Sequence, residues 1–443
     1  MQEWLSMSAA ELGRGIGRGE IDAEALCETY LQAIAAHPYA KRIYSVVTED
    51  RARAEARAAA RRAQLGQRLG PLDGVPISWK DLFDSAGVAT EAGSQLLAGR
   101  VPGTDAEVLR NATMAGLVCL GKTHMSELAF SGLGLNPRTA TPPCINDPEA
   151  VPGGSSSGAA ASVAFGLAAC GIGSDTGGSV RIPAAWNDLV GLKTTSGRLS
   201  SKGVVPLCER FDTVGPIGRS VEDCALMLAA LDGSGTPVDL RGARLEGMRF
   251  AALQTTVLDE IRDAPRAAYE NAVERLHAAG AKIERLDAPE VAEAMPLSGL
   301  LFTAEAYGIW GETIAANPEV MFPPIRERFE GGRDALASDY IAGWRKLNAL
   351  REAWAARVAG YDAVLMPSSP ILPPNAERLL TDDSYYVTEN LLALRNTRVG
   401  NLMGLAAMSL PTGVPSCGIM LCGAAFGEER LLRVAAAAEA ALS

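Results

Sequence analysis

Residues Val151–Ala184 read VPGGSSSGAAASVAFGLAACGIGSDTGGSVRIPA, two loops rich in glycine and serine on either side of an apolar segment. No charged residue occurs between Glu149 and Asp175, a stretch long enough to cross a bilayer. Gly, Ser and Pro crowd it, however, so it reads as a buried loop and helix inside a globular core. The helix pattern GAAASVAFGLAA begins at Gly158, which places the serines before it at a helix N-terminus, where hydroxyls cap and partial positive charge collects. In the second loop, SDTGGS, Ser179 follows two glycines, whose dihedral freedom lets the backbone N–H groups of Thr176, Gly177, Gly178 and Ser179 aim at one point. Stabilising an oxyanion beside a serine nucleophile needs that arrangement.

Outward from this stretch, helix and strand patterns alternate. GVPISWK sends Val75, Ile77 and Trp79 to one face of a strand and Lys80 to the other. TDAEVLRNATMAG predicts a helix opened by a capping box from Thr104 to Glu107, and LVCLGK a short buried strand after it. Ser220 predicts the start of another helix, and RAAYENAVERLHAAGAKIERLD again reads helix then strand. The pattern favours an α/β fold, a mixed sheet with helices on both faces. Upstream, a helix from Asp22 ends before Pro38, and the Ala/Arg-rich run Asp50–Leu65 predicts a helix with a solvated charged face. No repeat and no convincing boundary appears, so residues 1–443 are expected to form a single domain. MPSSPILPPN, Met366–Asn375, reads as an ordered loop over the body.

Composition narrows the partners. Lys+Arg of 41 against Asp+Glu of 52 gives a net charge of −11, the wrong sign for a general binder of phosphate backbones. Nucleic acid is therefore not expected as a partner. Eight scattered cysteines form no metal-binding or redox pairs and read as buried thiols. The opening segment MQEWLSMSAAELGRG lacks a basic start followed by an apolar core, so no membrane association and a cytoplasmic location are expected.

The glycine-serine loop also invites two other readings. As Gly153-x-x-x-x-Gly158 it begins like a phosphate-binding loop, but Ala159 and Ala160 stand where Lys and Ser/Thr must be, which weakens a nucleotide- or anion-binding module. As Gly154-x-Ser156-x-Gly158 it mimics a nucleophile elbow, whose downstream histidine could only be His277, inside an ordinary helix pattern. A base for Ser179 must then be sought elsewhere. Lys80 qualifies if burial lowers its pKa from about 10.4 toward neutrality, a shift of three units that corresponds to roughly 4 kcal/mol and demands a nearly dry site.

Taken together, LDGVPISWKDL, GKTHMSELAFSG, the 151–184 stretch and VGLKTTSGRLSSKGVVPLCERFDTVGPIGRSVEDCALM resemble the amidase signature family, with a signature core at about 72–228. The 24-residue spacing from Ser155 to Ser179 matches the family's. The resemblance implies a Ser-Ser-Lys triad, in which Ser179 is acylated and Ser155, after a cis peptide bond from Gly154, bridges Ser179 and Lys80. It further implies an amidase that hydrolyses a small or medium linear amide, without cofactor or metal. Met125 and Ser126 match a segment lining the acyl side of the pocket. The alternative is one component of a glutamine-dependent amidotransferase complex.

Arg181 and Asp175 are expected to brace the nucleophile loop. Arg138, Arg181 and Arg395 are the arginines considered for binding a carboxylate on the substrate, with pocket walls expected from Pro296–Pro324 and from the run after Asp362. A homodimer is the default assembly.

Overall fold

The computed structural model describes residues 2–443. Its framework is one sheet of eleven strands: β1 (Tyr44–Val47), β2 (Pro76–Lys80), β3 (Val118–Thr123), β4 (Cys170–Asp175), β5 (Val190–Lys193), β6 (Thr213–Gly218), β7 (Arg249–Leu253), β8 (Lys282–Leu286), β9 (Ala363–Pro367), β10 (Ala407–Pro411) and β11 (Gly418–Cys422). They lie in the order β1-β3-β2-β4-β6-β5-β10-β11-β9-β7-β8. Strands β3, β2 and β4 run parallel, as do β9, β7 and β8, while the pairs between β4 and β9 and the β1–β3 pair are antiparallel. The mixed sheet with its helices is the α/β architecture expected.

Strands in the middle of such a sheet must be apolar on both faces. Every residue of β2, β3 and β4 is buried. On β2, Ile77 and Trp79 face the core, where Trp79 meets the edge of Phe83 with ring centroids 5.3 Å apart. Truncating a buried indole of this kind costs about 3–5 kcal/mol. Alternation then turns Lys80 to the opposite face, toward the helix Ser157–Ala164, which packs on β2, β3 and β4.

That helix approaches β4 closely because Gly173 has no side chain: a Cβ there would stand 2.5 Å from Ser156 Oγ. Parallel pairing in register, Ile77 with Cys170 and Trp79 with Ile172, brings the C-terminal ends of β2 and β4 side by side. Lys80 and the loop after Asp175 thereby share one edge.

Several helix starts follow the sequence expectation. Asp22 caps Ala23–Ala36 by accepting from Ala25 N, and Ser220 caps Val221–Leu231 by accepting from Asp223 N. Thr104 does not cap, since the helix begins at Glu107 with Ala106 before it and no side-chain cap. The preceding Asp105 is drawn instead to Arg51, at 3.0 and 2.9 Å, and to Ala86 N. The helix Glu49–Gln64 keeps the expected charged face in water, with Glu49, Asp50, Arg57 and Arg61 exposed. Its Arg51 is the exception, partly buried and bonded also to Glu55, Ser85 and Thr113.

All eight cysteines are buried free thiols. Among the described residues no helix is long and apolar enough to cross a membrane.

Candidate active site

Three segments deliver the predicted chemistry: the end of β2, the loop before the helix Ser157–Ala164, and the loop after β4. Lys80 Nζ lies 2.7 Å from Ser155 Oγ and 2.8 Å from Ser174 Oγ. Neither Lys80 nor Ser155 has any exposure. The Gly154–Ser155 peptide bond is cis. Ser179 is almost fully buried, and it borders a pocket. No hydrogen bond joins Ser155 Oγ to Ser179 Oγ, although the loops are tied by Ser156 N donating to Ser179 O at 3.2 Å.

Desolvation dominates the electrostatics of the lysine. Burial pulls the Lys80 ammonium down to about 7, against the opposing pull of Asp212 and Asp175. Burial therefore brings the uncharged amine within reach near neutral pH, which is the state a proton acceptor needs. His124 is a poor alternative: burial brings it down to about 4, which makes it a weak base. His277 hydrogen-bonds Ala281 O at the end of its helix.

The second loop is held by a buried ionic cluster. Asp175 accepts from Gly178 N at 2.9 Å, Val180 N at 3.1 Å, and Arg181, whose Nη2 and Nε lie 2.8 and 3.0 Å from its two oxygens. Burial alone would raise the Asp175 pKa, but Arg181 and the other donors hold it well below the usual carboxylate range. Arg181 also donates to Thr397 O and Asn401 Oδ1, and Thr397 Oγ1 donates to Gly177 O at 2.7 Å. The helix Asp383–Leu402 thus clamps the loop, and Arg181 braces it rather than facing substrate.

Of the four amides expected to form an oxyanion hole, Gly178 is committed to Asp175. The N–H groups of Thr176, Gly177 and Ser179 meet no acceptor among the described residues. Asp212, not singled out from the sequence, accepts from Thr176 Oγ1 at 2.5 Å and from the N–H groups of Leu207 and Cys208. Its only sequence signal is its place in LCERFDTVGP, inside the segment that carries the family resemblance. The serines do not cap the helix as expected. Ser156 Oγ instead donates to Ser174 O and accepts from Ser174 N, both at 3.2 Å.

The pocket at Ser179 has apolar walls from Ala129, Phe130, Leu207, Phe302 and Leu394, and two arginines, Arg328 and Arg398. Met125 and Ser126 do not line it. Both side chains are sealed in the core, and the chain reaches the pocket only at Ala129–Ser131. Arg138 donates to the carbonyls of Glu319 and Met321, and Arg395 to Val257 O and Asn396, so neither borders the pocket. The expected walls enter through Phe302 and through Leu394 and Arg398. A larger cavity of about 530 Å³ lies elsewhere, between Arg351, Trp354, Asp362 and Phe426. Size does not decide the site here, because only the pocket at Ser179 joins a nucleophile to unengaged amides.

The sequence matches the family described as Amidase over residues 25–432. The chain belongs to the amidase family. Among its amidase-family relatives, the 2-amino-5-chloromuconic acid deaminase of Comamonas testosteroni is 36% identical over 98% of this chain and 96% of that one. A glutamyl-tRNA(Gln) amidotransferase subunit from Acidothermus cellulolyticus is 32% identical over 100% of this chain and 95% of its own. A crystal structure of an amidase superposes with a TM-score of 0.88 at 29% identity, covering 99% of this chain and 100% of that one.

Proposed function

We propose that this amidase hydrolyses the C–N bond of a small linear amide through an acyl-enzyme on Ser179, with Lys80 as base and Ser155 as proton carrier. The observation that supports it is the 2.7 Å contact between a buried lysine, poised near neutrality, and Ser155, next to the loop that carries Ser179.

Neutral Lys80 takes the proton of Ser155 while Ser155 takes that of Ser179, and Ser179 Oγ forms a bond to the amide carbonyl carbon. The relay requires Ser179 Oγ to come within hydrogen-bond reach of Ser155 Oγ. The carbonyl π electrons move to oxygen, where the amides of Thr176, Gly177 and Ser179 receive the charge. Collapse breaks the C–N bond, and the nitrogen leaves with a proton returned through Ser155 from Lys80. Water then attacks the ester by the same relay, releasing a carboxylate and restoring the Ser179 hydroxyl. The proton balance closes without histidine.

The deaminase relative also has a C–N compound as its named substrate, and this chain can be expected to act on a molecule of similar size. Buried free thiols suit action in a reducing compartment such as the cytoplasm. The likeness to glutamyl-tRNA(Gln) amidotransferase subunits supports a second reading, in which ammonia from glutamine passes to a partner-bound acceptor. Ammonia release by the purified chain decides between them. Turnover of small amides by the chain alone supports the first reading, and turnover only with added partner proteins supports the second.

A further inference from the structure

Among the described residues, every arginine that is not solvent-exposed hydrogen-bonds or ion-pairs with the protein, except two. Those two, Arg328 and Arg398, are the ones that line the pocket at Ser179. Arg328 comes from the helix Pro323–Glu330, with its guanidinium 4.5 Å from the centroid of the Phe130 ring and its Nε sealed from solvent without a partner. Arg398 follows Thr397 on the helix that clamps the nucleophile loop. Its Cγ stands 3.9 Å from where a Cβ on Gly177 would be.

Placing two like charges side by side against apolar walls is unfavourable unless something anionic offsets it. The cost is visible in Arg398, brought down to about 9 by burial and by the neighbouring charge of Arg328. Burial lowers Arg328 as well, yet a guanidinium remains cationic at neutral pH in proteins. No protein carboxylate pairs with either of them. Ser131, which also lines the pocket, is engaged already: it accepts from Tyr386 OH and donates to Asn390 Oδ1. Beside the backbone amides of the nucleophile loop, the guanidinium forks are therefore unspent side-chain donors of this pocket, and planar forks match a carboxylate in two-pronged fashion.

We propose that the substrate carries a carboxylate and that Arg328 and Arg398 bind it, so that the physiological substrate is an acidic amide. This rests on the reading of Ser179 as nucleophile only for the identity of the second group, the amide. The arginines are specificity residues, since they would touch the substrate away from the scissile bond.

Calorimetry on the full chain carrying Ser179→Ala tests it, with monoamides of three- to six-carbon dicarboxylic acids, their neutral diamides and inorganic phosphate as probes. At least one acid monoamide is expected to bind about tenfold or more tightly than its diamide. Arg398→Met or Arg328→Met in that background removes the advantage, and Arg→Lys at the same positions retains part of it. Unchanged melting temperatures show that these proteins are folded. The inference is overturned if diamides bind as well as acids, if the preference survives both arginine substitutions, if phosphate binds in place of the acids, or if none of the probes binds the folded protein. Turnover of a probe by the Ser179→Ala protein would instead sink the nucleophile assignment, leaving the carboxylate question to the binding data.

Discussion

Arg181 grips Asp175 with a two-pronged contact, Nη2 to Oδ1 at 2.8 Å and Nε to Oδ2 at 3.0 Å, and neither side chain has any exposure. Asp175 in turn receives the amides of Gly178 and Val180, which flank Ser179. The ion pair thus sets the curvature of the nucleophile loop. Removing one partner leaves the other charge buried and alone, which costs about 3–5 kcal/mol. Arg181→Met is expected to lower unfolding free energy in urea by that amount. A loss below about 1 kcal/mol would show that the loop does not depend on the pair.

Gly178 tests the same loop through its backbone. Its φ is +141°, and a Cβ there would fall 2.1 Å from Thr397 Oγ1. Gly178→Ala must push the loop away from the helix Asp383–Leu402. An ångström of misplacement at a reacting group can cost about 100-fold. The expected outcome is a fall of that order in kcat with a smaller change in KM, measured by steady-state kinetics; a kcat within threefold or so of the parent would contradict it.

Lys80 predicts the pH profile. The base must be uncharged, and burial has brought its pKa to about 7, so the reactive form is lost as pH falls through that value. Turnover, followed as kcat/KM, should rise with pH up to about 7 and level off above it. A profile flat from pH 5 to 8 would remove Lys80 from the proton path. Lys80→Met should lower kcat by about 10²–10⁴-fold while the protein remains folded by circular dichroism, and activity within tenfold or so of the parent would count against the role.

How far the site could be read from the chain depends on whether its parts are local. Lys80, Ser155 and Ser179 were legible as a set only through the family resemblance; two-residue alternation in PISWK placed Lys80 opposite Ile77 and Trp79, and short-range glycine spacing marked the two serine loops, without joining them. Arg328 and Arg398 were not legible. Each stands in a helix among other polar residues, where an arginine ordinarily faces water, and only the docking of two distant helices turns them into one pocket. Thr104 and Ser156 failed for a related reason: the hydrogen-bond partners that outcompeted capping, Arg51 for Asp105 and Ser174 for Ser156, lie 54 and 18 residues away. Met125 and Ser126 missed the pocket wall by a few residues, because the turn through Leu128 and Ala129, at positive φ, hands that surface to the residues after it.

The most direct measurement is mass spectrometry of protein quenched during turnover of an acidic amide, followed by peptide mapping. An acyl group on the peptide containing Ser179, absent in Ser179→Ala and slow to appear in Lys80→Met, is the predicted result. Product formation with the acyl group on another residue, or undiminished product formation by Ser179→Ala, would contradict the account.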